Sequence, residues 1–137
     1  MRKRSAKQKM KDEAWKAFSL FIRTRDCLFT TKKNDRGKCI TCGIELPIGE
    51  LQAGHFISGR HNSYLFSEEG VHAQCRTCNI LKGGNQLEYR RQIIDLYGDK
   101  YDEVLEKESH EIKKYTLEDY KEIRDEYKER LKEIKWK

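Results

Sequence analysis

Four of the five cysteines fall in two Cys-x-x-Cys pairs, Cys39 with Cys42 and Cys75 with Cys78, and His55 stands between the pairs in Gly54-His55-Phe56. Two thiolates spaced this way can share one soft cation, and two such pairs complete the four-sulfur tetrahedron that zinc favours. Four protein ligands fill that tetrahedron, so the zinc predicted here is structural, with no open position for water or substrate. The 32 residues between the pairs exceed the spacing of a plain zinc ribbon, which predicts an inserted unit with chemistry of its own. A redox dithiol is the other common use of Cys-x-x-Cys, but it belongs with a βαβ pattern that this sequence lacks.

Within the insert, His55 supplies acid–base capacity near neutral pH. Hydrolysis of a phosphodiester needs an activated water, neutralised charge at phosphorus and support for the departing 3′ oxygen. An imidazole suits the first task, and a hard divalent ion such as Mg²⁺ or Mn²⁺ the other two. Asn79 follows directly on Cys78, where its side-chain oxygen can ligate such an ion or cap the next helix. His72 admits three readings: a partner of the base, a phosphate contact, or a half-buried strand residue. Asn62, Glu68, Glu69 and Asn85 are further polar candidates for supporting His55, although Asn85 in Gly83-Gly84-Asn85 also reads as a turn residue. Cys27 reads as a small buried thiol behind the first helix.

The elements that must position these groups follow from periodicity. Trp15, Phe18 and Ile22, widened by Ala14 and Phe21, predict a helix from about Lys9 to Arg25 that packs on the finger. Residues 30–38 read as a polar loop, and Pro47 with Gly49 as a turn. A strand is expected over Leu51–Ile57, a second short one at Tyr64–Phe66, a turn at Ser67–Gly70 and a short helix over Arg76–Leu81. Leu87, Ile93, Ile94 and Tyr97 predict a helix closed by Gly98, followed by a short one around Tyr101–Lys107. A last helix should begin at Thr116, with Asp119 three residues on as a loose capping box. Its apolar residues Leu117, Tyr120, Ile123, Tyr127, Leu131 and Ile134 suit folding back on the domain or a dimer seam. Together these predict an α+β chain: a basic N-terminal arm (1–11), a helix with a zinc-stapled finger (12–98) and a C-terminal helical extension (99–137).

Charge points to the partner. The 29 basic and 23 acidic residues leave a formal +6, and six of the basic residues lie within residues 1–11 without one acid. Arg2, Lys3 and Arg4 in that arm, with Arg60, Arg76, Lys82, Arg90 and Arg91 around the finger, are candidate phosphate contacts. Their type favours recognition of backbone and shape over base reading. Residues 1–13 contain no apolar leader, and no apolar run approaches membrane-spanning length. With thiols paired for metal rather than disulfides, this suggests a reducing compartment.

Residues 39–98 resemble the HNH, or ββα-metal, nucleases with flanking cysteine pairs, and more narrowly the phage recombination family called NinG or Rap. The resemblance is carried by Cys39-x-x-Cys42-Gly43, Gln52-Ala53-Gly54-His55-Phe56-Ile57-Ser58, and Val71-His72-x-Gln74-Cys75-x-x-Cys78-Asn79. Gly84-Asn85, Tyr89-Arg90 and Leu96-Tyr97-Gly98 continue it downstream. It implies a small zinc-stapled ββα-metal finger, treble-clef-like and flanked by helices. It also implies a metal-dependent endonuclease that cleaves branched DNA, Holliday junctions and D-loops, during phage recombination in the cytoplasm of a bacterial host. His55 would then be the general base and Asn79 a ligand of the catalytic Mg²⁺ or Mn²⁺, and symmetric junctions would suit a homodimer. Two positions depart from the HNH pattern: Gly54 stands where many members have an acidic metal ligand, and Gly70 falls near the asparagine that orients the base. These departures keep two alternatives open, a non-catalytic zinc-stabilised DNA-binding module and an HNH nuclease of restriction or packaging type.

Overall fold

Helix α1 (Ala6–Thr31) organises the chain. In the computed structural model, which describes residues 3–59 and 61–135, it outruns the predicted Lys9–Arg25 at both ends for local reasons. Ser5 caps the first turn by accepting from the Gln8 N–H at 3.1 Å, so Lys7, Lys9 and Lys11 of the basic arm are helical. At the other end Thr30 donates its hydroxyl to the Asp26 carbonyl at 2.8 Å, and the same oxygen receives the Lys38 N–H at 3.1 Å. The last turn of the helix is thereby tied to strand β1 (Arg36–Lys38), where a loop was expected. Strand β1 pairs antiparallel with β2 (Glu45–Pro47). Gly37 in β1 lies against α1: a Cβ there would come within 2.7 Å of the Cys27 sulfur, which is fully buried. Burial pushes that thiol up to about 11, in keeping with an inert packing role.

After a 3₁₀ turn at Ile48–Glu50, β3 (Leu51–His55) pairs antiparallel with β4 (Val71–Cys75). Directly opposite residues share a face. Leu51, Ala53, His55, Val71 and Ala73 therefore lie on one side, and Gln52, Gly54, His72 and Gln74 on the other. The first side meets α1, where Ala17, Phe18, Phe21, Ile22 and Val71 form the main core. Between the strands, residues Asn62–Leu65 form one helical turn, α2, not the strand predicted at Tyr64–Phe66. Ser63, Tyr64 and Leu65 are buried in succession, and so short an apolar run carries no period that separates strand from helix. The Ser67–Gly70 turn forms as expected, with the Ser67 hydroxyl accepting the Gly70 N–H at 3.1 Å.

Past Cys75 the chain winds into a π-helical turn, Thr77–Leu81, closed by the Lys82 N–H on the Thr77 carbonyl at 2.8 Å. Helix α3 (Gln86–Tyr97) ends at Gly98, whose φ of 107° suits glycine. Phe56, Tyr89, Ile93 and Leu105 join α3 and α4 (Tyr101–Ser109) in a second core, clipped by Arg90 to Asp102 at 2.7 Å. Helix α5 (Leu117–Lys135) opens on the capping box read from Thr116 and Asp119: each backbone N–H meets the other's side chain, at 2.8 and 3.1 Å. Tyr127 packs edge-on against Phe18 with ring centroids 4.9 Å apart, and Ile123 and Ile134 lie against the same core. Each aromatic or aliphatic side chain buried there stabilises the fold by about 1.5–3 kcal/mol. Arg130 forks onto Glu68 at 2.7 and 2.9 Å and fastens α5 to the turn before β4. None of the described helices is long and apolar enough to cross a membrane.

Candidate functional site

The two cysteine pairs converge. Cys39 and Cys42 sit on the turn after β1, Cys75 ends β4 and Cys78 lies on the π turn, and the four sulfurs are all within 4.8 Å of one another. The turn at Gly43 (φ 81°) returns the chain, and its N–H reaches the Cys39 carbonyl at 3.0 Å. Cys39, Cys75 and Cys78 are buried, while Cys42 is exposed. Burial pushes the Cys39 thiol up, but backbone donors led by the Cys42 N–H outweigh it and bring it down to about 6. Burial, and then the charge on Cys39, push Cys42 up to about 12. One thiolate thus opposes the next, a conflict that a divalent cation removes. The donor set fits a metal such as zinc. Asn85, read as a candidate partner of His55, instead donates to the Cys78 sulfur at 3.5 Å.

Beside the cluster runs a cleft of about 590 Å³ along the outer edge of β3, walled by α1 and by the π turn. It gathers His55, Asn79, Trp15, Arg23, Gln52 and Gln86. His55 ends β3 on the face toward α1, and its ring stacks on Trp15 with centroids 5.1 Å apart and planes 17° from parallel. Its Nε2 lies 3.2 Å from the Leu65 carbonyl. A carbonyl only accepts, so Nε2 carries a proton. Asn79 donates its Nδ2 to Gln52 Oε1 at 2.8 Å, which turns its oxygen toward Gly54: a Cβ on Gly54 would lie 3.0 Å from it. Arg23 is held by the Ser19 carbonyl at 3.2 Å and the Ile48 carbonyl at 3.3 Å. Burial lowers its pKa, yet a guanidinium stays charged. Among the described lining residues no carboxylate is present, and Arg23 brings a positive charge.

The remaining sequence candidates lie elsewhere. His72 is buried on the opposite side of the hairpin from His55, with Nδ1 3.0 Å from Asp26 and Nε2 2.8 Å from the Tyr97 hydroxyl. Of its three readings, the structure supports a strand residue, buried and fully bonded. Asn62 reaches the Lys113 carbonyl at 3.4 Å, Glu68 is taken by Arg130, and the Glu69 carbonyl faces His72 Nε2 at 3.2 Å. None of these lines the cleft with His55. Gly70 sits ahead of β4, where its carbonyl receives the Phe56 N–H at 2.8 Å, and the Leu65 carbonyl is a group that contacts the His55 ring. Arg76 and Lys82 are exposed just before and just after the π turn, Arg91 is exposed beside Glu88, and Lys3 and Arg4 are exposed near the start of the chain, Arg4 paired with Asp12. Arg90 is engaged with Asp102 and Glu106. Arg2 and Arg60 lie outside the described residues.

The family model described as Bacteriophage Lambda NinG protein matches residues 1–137. The chain belongs to the NinG family. It is 32% identical over 124 residues to the protein ninG of Escherichia phage lambda, a match covering 90% of this chain and 56% of that one. The protein ninG of Salmonella phage P22 is likewise 32% identical, over 90% of this chain and 56% of its own length. That of Escherichia phage 933W is 31% identical, over 90% and 57%. The chain thus spans a little over half the length of these curated relatives. No solved structure matches it. For this NinG-family chain, sequence reasoning missed Trp15, Arg23 and Gln52 among the residues lining the cleft. Trp15 and Arg23 sit about two turns apart on a helix whose stripe reads as core, and nothing in their spacing marks an edge that also walls a cleft. Gln52 did carry a signal, since it is a polar residue in a strand otherwise suited to burial.

Proposed function

We propose that this NinG-family chain is a metal-dependent DNA endonuclease of the HNH-like ββα type, acting on branched recombination intermediates such as Holliday junctions and D-loops. The observation that carries the reading is the meeting of His55 and Asn79 in one cleft, from β3 and the π turn, beside the four-cysteine cluster. Strands β3 and β4 and the turn that follows supply the two strands and helical element of such a finger. Structural zinc at Cys39, Cys42, Cys75 and Cys78 holds the turn against the strands. His55 would act as the general base toward the attacking water, with the Leu65 carbonyl at Nε2 and the stacked Trp15 ring orienting it. That carbonyl does the orienting which Gly70, lacking a side chain, cannot. The Asn79 oxygen would hold Mg²⁺ or Mn²⁺, which when bound neutralises phosphate charge and supports the departing 3′ oxygen. Arg23 draws the phosphate into the cleft, and the basic start of α1 with Arg76 and Lys82 adds salt-sensitive attraction to the backbone.

The test is cleavage of a labelled four-way junction, linear duplex and single strand by wild type and His55→Ala, with and without Mg²⁺ or Mn²⁺, at matched zinc content. Metal-dependent nicking by wild type that falls by at least 100-fold in His55→Ala, strongest on the junction, is the expected outcome. Equal cutting of plain duplex would point to an HNH nuclease of restriction or packaging type. The absence of a carboxylate among the described lining residues favours a second reading, a zinc-stabilised DNA-binding module without catalysis. Tight junction binding with no cleavage by either protein would establish it and remove the first.

A further inference from the structure

Ile80 and Leu81 end the π turn with 52% and 69% of their surface exposed, and Leu87 on the first turn of α3 is 76% exposed. Large aliphatic residues scattered singly over a surface are ordinary, but several this close together mark a contact site. Looseness does not expose them, because the backbone around them is bonded throughout. The Gly83 N–H meets the Ile80 carbonyl at 3.2 Å, the Gly84 N–H the Cys78 carbonyl at 2.9 Å and the Asn85 N–H the Lys82 carbonyl at 3.0 Å. The Gly84 carbonyl in turn accepts from Gln74 Nε2 at 2.9 Å. Cys78, two residues before Ile80, belongs to the four-cysteine cluster. Gly83, Gly84 and Asn85 all have positive φ, 58°, 96° and 50°, a left-handed run that turns the chain back into α3. The aliphatic tip is therefore a rigid projection.

Its surroundings name the partner. Arg76 precedes the turn and Lys82 follows it, both exposed. Asn79, Gly83, Gly84 and Gln86, from the same stretch, line the cleft that holds His55. The tip thus stands on the rim of that cleft with a cation at either end. Cations can take phosphates while aliphatic side chains enter between bases; an apolar protein surface would leave both cations without partners. We propose that Ile80 and Leu81 form an aliphatic wedge that enters a base step of DNA bound at the cleft, with Arg76 and Lys82 on the adjoining phosphates. The proposal rests on the DNA-cleaving reading above and adds how the site selects its substrate. Prying apart a stacked step of intact duplex is costly. At a branch point the continuous stack is already interrupted, so the wedge enters at lower cost while burying the same aliphatic surface. Branched DNA is favoured without any base being read.

2-Aminopurine, whose fluorescence rises when its base unstacks, tests this when placed beside the branch point of a four-way junction and at the centre of a linear duplex. Zinc-loaded wild type and the double variant Ile80→Ser/Leu81→Ser are titrated into each without Mg²⁺ or Mn²⁺, and cleavage is measured separately with them. Zinc content and circular dichroism report folding; if the double variant loses zinc, Leu81→Ser, at the more exposed position, decides alone. Wild type is expected to raise the junction signal roughly twofold or more, and the duplex signal less. The double variant should lose that rise while binding the junction within about tenfold of wild type, since its phosphate contacts remain. An equal rise with both proteins, or wild-type binding without any rise, would overturn the wedge and leave the nuclease reading to stand on cleavage. A rise lost in the variant, with no cleavage by wild type, would uphold the wedge and remove the nuclease reading. Failure of wild type to bind either DNA would overturn both.

Discussion

His72 and Gln74 occupy the same face of the same strand, two residues apart, and their surroundings are opposites. Around His72 every polar group is matched. Asp26 takes the ring nitrogen at 3.0 Å, the Ala73 N–H at 2.7 Å and Arg25 at 2.9 Å; Arg25 in turn reaches the Glu68 and Val71 carbonyls, and Tyr97 closes the far side of the ring. Around Gln74 and the neighbouring cleft the matching stops short, with Gln74 Oε1 and Gln86 Nε2 left unpartnered. A saturated buried network fixes one geometry and does nothing else. An unsaturated one is costly unless something from outside completes it. Histidine drew attention in the sequence and glutamine did not, yet the glutamine has capacity to spare.

That contrast can be broken in several ways. Both clusters hang from β4, whose last residue is Cys75, so stripping the metal from the cysteine cluster should abolish both. Structural zinc is worth on the order of 10 kcal/mol in small domains, and chelation is expected to remove the cooperative unfolding transition seen by circular dichroism. Next in size, Asp26→Ala strands His72, Arg25 and the Ala73 N–H, and should lower stability in urea by about 3–5 kcal/mol without altering Mn²⁺ affinity. A loss of Mn²⁺ binding in that variant would mean that the two clusters are coupled.

The Asp26 contribution is also pH-dependent. Burial alone would raise its pKa, but the His72 contact and the Arg25 charge outweigh it and hold the carboxyl below its ordinary value. A depressed folded value gives stability that is present above the unfolded range near 3.9 and is lost as pH falls through the folded value. The stability gap between wild type and Asp26→Asn should therefore shrink as urea titrations move from pH 6 toward pH 3. Tyr97→Phe deletes a single hydrogen bond to His72 and is expected to cost about 1 kcal/mol. Smallest of all, Gln86→Met removes a donor that has no partner, and thermal unfolding should move by less than about 1 kcal/mol in either direction. A large loss there would show that Gln86 is satisfied in solution and that the cleft is less open than the contrast requires.

Much of the scaffold was legible because its signals are local. The cysteine spacing announced the cluster, Gly98 ended α3, and Thr116 with Asp119 opened α5. Errors fell where local signals compete or run out. The C-terminal end of α1 was cut short because Thr30 and Thr31 look like loop residues until Thr30 bridges the Asp26 carbonyl and the Lys38 N–H. Tyr64–Phe66 read as a strand, where Asn62–Leu65 form a helical turn, because so short a run carries no period. His55 and Asn79 were singled out by type and position and line one cleft, which joins residues 64 positions apart from Trp15 to Asn79.

The sequence by itself determined which atoms were available: four thiols in two pairs, a histidine on a strand between them, an asparagine after the last thiol and a glycine before the histidine. Identity and spacing are properties of the covalent chain, and they were enough to mark a four-cysteine cluster that could hold a metal and a histidine candidate for acid–base work. Only the tertiary structure decided which polar groups had their bonds filled. That depends on where α1, β1 and the turn at Gly84 bring their carbonyls and hydroxyls, and this left His72 saturated and the oxygen of Gln74 facing the bare Cα of Gly54.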